Sequence, residues 1–342
     1  MGFYKTIVRP VLFLFPPELI HHFTFFTLNS LTLFPGLIKN LSGNKSITNS
    51  NIRILGLVFP HHVGLAAGMD KNGIAIRPMK ELGFAFLELG TVTPKAQKGN
   101  EKPRLFRLIN DKALINRMGF NNHGVDALAE RLSKKPEGII IGGNIGKNTL
   151  TPNSRAVEDY AYCFEKLYGL VDYFVVNVSC PNLSDLRELQ DKDSLREIMN
   201  RLMSIRSGKE LVTPVLLKVS PDLNISQIND LIEVVKETGI DGIIATNTSV
   251  GRSNLKSGKS LIDKIGKGGL SGRPLSGKST EIIEMLRKEL PKPFPIIASG
   301  GIMSADDAEI KIKAGADLVQ IYTGFVYEGP SLIRRIQKRL AI

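Results

Sequence analysis

The chain has 342 residues, 42% apolar and 23% charged, which is ordinary for a globular protein long enough to bury a large core without staples. Its two cysteines, Cys163 and Cys180, argue against a disulfide framework and fit a reducing compartment. The net charge of +12 points to an anionic partner. The basic residues are dispersed and no nucleic-acid motif is present, which leaves phosphate-bearing ligands or a membrane surface.

Residues 1–40 read as a separate piece from residues 41–342. Seven of the 16 Phe residues precede Asn40, and Glu18 is the only acidic residue there. Phe3–Phe15 sets Lys5 and Arg9 beside Val8, Val11, Leu12 and Phe13. Pro16-Pro17 breaks the pattern, Glu18–Phe34 restarts it, and Pro35-Gly36 ends it. The spacing predicts two short helices in a hairpin. Neither holds the ~18 consecutive apolar residues of a membrane span, and the prolines interrupt any signal-peptide core. Composition alone leaves two readings open: an anchor lying in one leaflet with its cations near headgroups, or a hairpin packed on its own domain. The polar tract Ser42–Asn51 reads as a linker.

From Val63 onward, short apolar runs alternate with amphipathic stretches. The runs are Val63–Ala67, Phe84–Leu89, Ile139–Gly143, Tyr173–Val178, Val215–Val219, Gly242–Ala245, Ile296–Ala298 and Leu318–Ile321. Between them Val125–Leu132, Arg155–Tyr168, Ser194–Ile205, Ile225–Thr238, Ser279–Leu290 and Ala305–Ala314 have helical spacing, with Cys163 on the apolar stripe of its helix. Runs without alternation suit parallel strands buried on both faces. Eight such units in about 250 residues predict an α/β TIM barrel. The rival doubly wound sheet lacks its Gly-x-Gly-x-x-Gly turn.

Barrel chemistry gathers at the C-terminal strand ends, and here those ends are polar: Gly68 to Lys71, Gly90-Thr91, Asn144, Asn177, Lys218, Thr246 to Thr248, Gly300-Gly301 and Tyr322 to Gly324. The ends of the seventh and eighth runs are where barrels often hold a ligand phosphate on backbone N–H groups. Asn177-Val178-Ser179-Cys180-Pro181-Asn182 sets two amides about a thiol, and Pro181 stops the strand. Carboxamides grip planar ligands rich in C=O and N–H; a thiol between them can act as base or nucleophile. Two loops, Ser179–Ser194 and Gly251–Gly272, are long enough to be lids.

Together these tips form a recognisable set. With Ala66–Lys71, Gly90–Pro94, Lys102–Arg107, Asn116–Asn121, Asn144–Asn148, Asn177–Asn182, Lys218, Ala245–Thr248, Gly268–Leu275 and Val319–Tyr322, the chain resembles dihydroorotate dehydrogenase of the membrane-associated, quinone-dependent class from about Pro17 to its end. The resemblance implies an FMN-holding barrel that oxidises (S)-dihydroorotate to orotate in pyrimidine synthesis. Electrons would pass to a membrane quinone, from a peripheral position on the cytoplasmic side of the cell membrane and in contact with anionic lipid. It assigns FMN contacts to Ala67, Gly68, Thr91, Asn144, Asn177, Lys218, Thr246, Gly272, Gly301, Tyr322 and Thr323. It assigns substrate contacts to Lys71, Asn116, Arg117, Met118, Gly119, Phe120, Asn177, Asn182, Asn247 and Thr248. It places His21, Arg107 and Tyr322 near the quinone, makes Cys180 the base, and implies no metal. One residue departs from the class: the quinone-dependent enzymes usually carry serine as the base and the soluble enzymes cysteine. That departure keeps open a soluble-type enzyme using fumarate or another small acceptor.

Overall fold

The computed structural model describes residues 2–34, 36–41, 51–179, 189 and 191–341. Cys180, Asn182 and most of the expected linker lie outside the described residues. Eight parallel strands close the predicted barrel in chain order: β1 (Val63–Leu65), β2 (Phe86–Val92), β3 (Ile140–Ile145), β4 (Tyr173–Asn177), β5 (Val215–Val219), β6 (Gly242–Ala245), β7 (Ile296–Ser299) and β8 (Leu318–Ile321). Each pairs with its sequence neighbours, and β8 returns to β1 through Val319 opposite Val63. Their residues are almost all buried, because helices cover the outer face while side chains fill the interior. The helix Ala156–Leu167 shows the local logic: Tyr160, Cys163, Phe164 and Leu167 share one buried stripe, and Phe164 stacks 4.2 Å from Phe174 of β4. Burial pushes the Cys163 thiol well above its ordinary range, so it behaves as a core residue.

The N-terminal end of the barrel is plugged by an antiparallel pair, Ile52–Ile54 and Leu57–Phe59, whose Phe59 meets Phe86 edge-on at 5.2 Å. On the other side, Leu105–Leu108, Ala113–Asn116 and Gly269–Gly272 form a three-stranded antiparallel sheet. That sheet alters the expected lid. Residues 251–272 carry a helix, Lys259–Ile265, and one of these strands. Asp111 accepts N–H bonds from Lys256 and Ser257, and Arg252 donates to the carbonyl of Gly268 at 2.5 Å. The segment is pinned rather than hinged.

The N-terminal residues form helices Tyr4–Val8, Arg9–Phe13, Pro17–Leu31 and Leu37–Leu41, with extended Pro16 making the break. Their inner face buries Phe25 and Ile38 in the main core and bonds its polar groups to the barrel. Tyr4 donates to the Val326 carbonyl at 2.7 Å, Lys5 pairs with Glu328 at 2.9 Å, and Arg9 donates to the Tyr327 carbonyl at 3.0 Å. Glu18 takes Arg104 at 2.7 Å, with Lys102 at 3.6 Å. Burial pushes the Glu18 carboxyl up, yet the cations outweigh it and hold the group below the usual range. The outer face is apolar. Of 21 exposed large apolar side chains among the described residues, ten lie between Phe3 and Phe34, including Leu14 at 80% and Phe26 at 72% exposure. No helix among the described residues is long and apolar enough to cross a membrane.

Candidate active site

The C-terminal strand ends surround an open-mouthed cavity of about 1070 Å³, its opening to solvent included. Most of the expected residues meet there. Ala67, Gly68 and Lys71 come from the end of β1, Thr91 from β2, Asn177 from β4 and Lys218 from β5. Thr246, Asn247 and Thr248 follow β6, Gly301 follows β7, and Tyr322 and Thr323 follow β8. The antiparallel sheet closes one side through Asn116 and Gly272, and the turn after Asn116 adds Met118, Gly119 and Phe120.

Hydrogen bonds lock the amides of this mouth to one another. Asn247 Nδ2 donates to Asn177 Oδ1 at 3.2 Å and to Ser179 Oγ at 3.1 Å. Asn177 Nδ2 donates to Thr91 Oγ1 at 2.8 Å, and Thr91 donates to Asn144 Oδ1 at 2.5 Å. Asn144 therefore stands behind the lining, bonded to residues that form it. Arg117 also stands outside: its guanidinium donates to the carbonyls of Ile265 and Pro103 and covers the Phe106 ring at 5.0 Å. Its side chain braces the sheet while its neighbours face the cavity.

Two residues were not expected in a site role. Gln320 of β8 lines the cavity, and Glu88 of β2 lies fully buried, joined to Lys218, Asn144 and Gln320. An acidic residue inside an apolar run was the available signal, because a buried carboxylate requires partners.

The residues suit FMN. Gly272 and Gly301 adopt φ of +98° and +77°; a Cβ would fall 2.4 Å from the Lys112 oxygen at the first and 2.2 Å from Ser276 Cα at the second. Only glycine lets the backbone pass so close to Lys112 at the first and Ser276 at the second. At the floor, the Lys218 ammonium offers a donor, and Gln320 Oε1 is buried without a protein hydrogen-bond partner. That set matches a planar ring system with alternating N–H and C=O groups and a phosphate tail.

A second, smaller cavity lies between the helix Pro17–Leu31 and the barrel. His21, His22 and Phe25 line it from the helix, with His21 and Phe25 ring centroids 4.3 Å apart. Gly68, Lys71, Leu105, Met118 and Tyr322 line both cavities and so form their common wall. Burial lowers the His21 pKa to about 3, with the charges of Lys71 and His22 acting the same way, so the ring is neutral near pH 7. Burial raises that of Tyr322 to about 12. Arg107 lines neither cavity; it donates to the Phe15 carbonyl at 2.7 Å and lies 4.4 Å over the Phe13 ring. It ties the hairpin bend to the sheet.

A family model described as dihydroorotate dehydrogenase matches residues 50–342. A dihydroorotate dehydrogenase (quinone) of Christiangramia forsetii is 51% identical over 339 residues, 98% of each chain. Another, of Dichelobacter nodosus, is 46% identical over 96% of this chain and 95% of its own. Among solved structures, DHODH of Eimeria tenella in complex with ferulenol superposes with a TM-score of 0.84 at 36% identity, covering 95% of this chain and 90% of its own. The family model starts after the N-terminal helices, whereas the Christiangramia forsetii relative covers 98% of this chain; on these matches the chain belongs to the dihydroorotate dehydrogenase family.

Proposed function

We propose that the protein oxidises (S)-dihydroorotate to orotate in pyrimidine biosynthesis and passes the electrons to a membrane quinone through FMN. The observation that carries this is the full-length match to relatives named for the quinone reaction, running through a hairpin that forms a second cavity against the first. On this reading residues 41–342 hold the catalytic barrel and residues 1–40 the membrane and quinone element. The fumarate-using alternative has in its favour only the cysteine at position 180.

Dihydroorotate gives up a proton from C5 and a hydride from C6. Bound FMN supplies the hydride acceptor and, in turn, the donor of two electrons to the quinone. The C5 proton is weakly acidic, so a base must be held over it. Cys180 is the proposed base, on the sequence argument: a free thiol titrates near ~8.5, closer to working pH than a serine hydroxyl. Lys71 neutralises the substrate carboxylate at the wall shared by the two cavities. Asn116, Asn177 and Asn247, with Asn182 on sequence grounds, hold the amide edges and fix the plane of the pyrimidine. Because Asn177 and Asn247 are already bonded to each other and to Thr91 and Ser179, they present one orientation to the substrate. Lys218 places positive charge at the floor, where it would face the flavin and favour negative charge there.

On the acceptor side, His21 and Tyr322 frame the quinone's proposed seat, and Arg107 holds the bend of the hairpin beside it. The exposed face from Phe3 to Phe34 suits the apolar side of one leaflet, with the exposed Lys39 towards anionic headgroups, while Lys5 and Arg9 are engaged with the barrel. The deciding assay gives the purified full chain dihydroorotate with a ubiquinone or menaquinone analogue, and separately with fumarate, each with and without detergent. Turnover with quinone that exceeds turnover with fumarate is expected. The reverse order establishes the soluble-type reaction, and a colourless protein overturns the flavin reading.

A further inference from the structure

We propose that Glu88 is the positioning residue that aims the cavity's donors and acceptors and holds down the reduction potential of the bound flavin. The inference rests on the FMN reading and adds a residue to it.

Glu88 sits at the third position of β2, inside the barrel, with no exposed surface. Interior positions of such barrels are ordinarily filled by branched apolar side chains. Here one carboxylate oxygen, Oε1, accepts from Lys218 Nζ at 2.9 Å and from Asn144 Nδ2 at 2.6 Å. The other, Oε2, accepts from Gln320 Nε2 at 2.6 Å. Lys218 and Gln320 reach the cavity surface and Glu88 stands behind them.

An ionised carboxylate only accepts, and this fixes the sense of every bond beyond it. Asn144 must turn its Nδ2 inward, so its Oδ1 faces Thr91 and Asn177. Asn177 then spends its Nδ2 on Thr91 and Asn144 and leaves Oδ1 to accept from Asn247. Gln320 spends its Nε2 and turns Oε1 away from Glu88. One buried negative charge thus determines which cavity amides donate and which accept, on strands β3, β4 and β8 and in the turn after β6. A neutral amide at position 88 offers no such rule, because it donates as well as accepts.

The same charge bears on redox chemistry. Lys218 and Glu88 are both buried, with side-chain exposures of 6% and 0%, so water screens their charges little. The ammonium that faces the cavity is therefore largely balanced from behind. A balanced cation stabilises a negative ring less than a bare one does. Replacing Glu88 by a neutral isostere leaves Lys218 unbalanced, and a flavin against it becomes easier to reduce.

The test is Glu88→Gln in the full-length holoenzyme, with FMN content read from visible absorbance and the reduction equilibrium read against a reference dye. We expect the yellow variant to lie at least tenfold further towards the reduced form, which is about 30 mV for a two-electron couple. Glu88→Asp keeps the charge but withdraws it by one methylene, and should fall between wild type and Glu88→Gln. A yellow Glu88→Gln protein whose equilibrium matches wild type, or moves towards the oxidised form, overturns the proposal and leaves Glu88 a structural buried acid. If Glu88→Gln holds no flavin, Glu88→Asp decides: a shift towards the reduced form supports the proposal, and no shift overturns it. A wild-type protein without flavin refutes the FMN reading instead, so the two failures are distinct.

Discussion

The barrel mouth and the N-terminal hairpin dispose of their polar and apolar side chains differently. The mouth buries polar groups and bonds nearly all of them: Glu88, Lys218, Asn144, Asn177 and Thr91 each have partners. The hairpin turns Tyr4, Lys5 and Glu18, together with buried Phe25 and Ile38, to the barrel and leaves ten large apolar side chains in the open. A buried polar group without a partner costs about 1–3 kcal/mol, so a set like the mouth's persists when it is fully satisfied. A contiguous exposed apolar ridge carries the opposite cost and marks a surface that is covered in use. The mouth reads as a preorganised reaction site and the hairpin as a contact surface. Changes in the one should strike flavin reduction, and changes in the other should strike only what happens afterwards.

The largest effect expected on the mouth is from Cys180→Ala. Stopped-flow reduction of the flavin by dihydroorotate should slow by ~10²–10⁴-fold while FMN stays bound, as for loss of a positioned base. Cys180→Ser should recover part of the rate, with its optimum moved to higher pH. Reduction within tenfold of wild type would assign the proton to another group. Next in size is Lys71→Ala. A charge-assisted bond is worth about 1.5–3 kcal/mol, so the Michaelis constant for dihydroorotate should rise roughly 10–100-fold. Because Lys71 lines both cavities, quinone kinetics at saturating dihydroorotate give a second readout, and an unchanged Michaelis constant would remove Lys71 from the carboxylate.

These expectations also mark how far the sequence could be read. The eight strands were legible because parallel strands buried on both faces form unbroken apolar runs, although β2 runs to Val92 rather than ending at Leu89. The polar tips were legible because each interrupts such a run. Glu88 was hidden inside a run, since its partners lie on β3, β5 and β8 and no local spacing announces them. The pinned segment after Gly251 was misread as a lid for the same reason: its strand pairs with Ala113–Asn116, more than 150 residues away. Of the hairpin's two readings, the structure bears out packing on its own domain. Periodicity shows that a helix has two faces, but not that Tyr4, Lys5 and Glu18 meet groups of the barrel.

The hairpin's outer face can be broken without touching the mouth. Deleting residues before Ile52 would unpair Arg104, which also donates to the carbonyls of Lys98 and Asn100, and Asn100 in turn bonds Arg117 and Met118 beside the cavity. Point changes are cleaner. Leu14→Asp with Phe26→Asp puts two charges where two exposed apolar groups stand. Each buried side chain of this size is worth about 1.5–3 kcal/mol, so co-sedimentation with anionic vesicles should fall at least tenfold. Single-turnover flavin reduction by dihydroorotate should stay within twofold of wild type. Vesicle binding that survives both charges would place the membrane contact elsewhere; a loss of flavin reduction would break the separation between the two regions.

The smallest effect expected is a dependence of hairpin docking on pH through His21. The groups facing its ring are Lys71, His22 and Glu18, and burial dominates in lowering its pKa from 6.5 to about 3. The docked state therefore binds the proton less readily than the released state. Docking is at full strength above pH ~6.5, where the ring is neutral in both states, and weakens as pH falls towards 3. One proton is involved, so the docking equilibrium should drop by no more than about tenfold between pH 6.5 and 5.5. Glu18 adds little over that interval, because its carboxyl is held below the usual range by Arg104 and stays ionised in the docked state. Limited proteolysis within residues 3–34, run across this window on wild type and His21→Gln, isolates the ring's share. Wild type should become more easily cut as the solution acidifies, and His21→Gln should change less. Matching profiles for the two proteins would mean that the ring takes up no proton when the helix leaves the barrel, and that the second cavity is not what keeps His21 neutral.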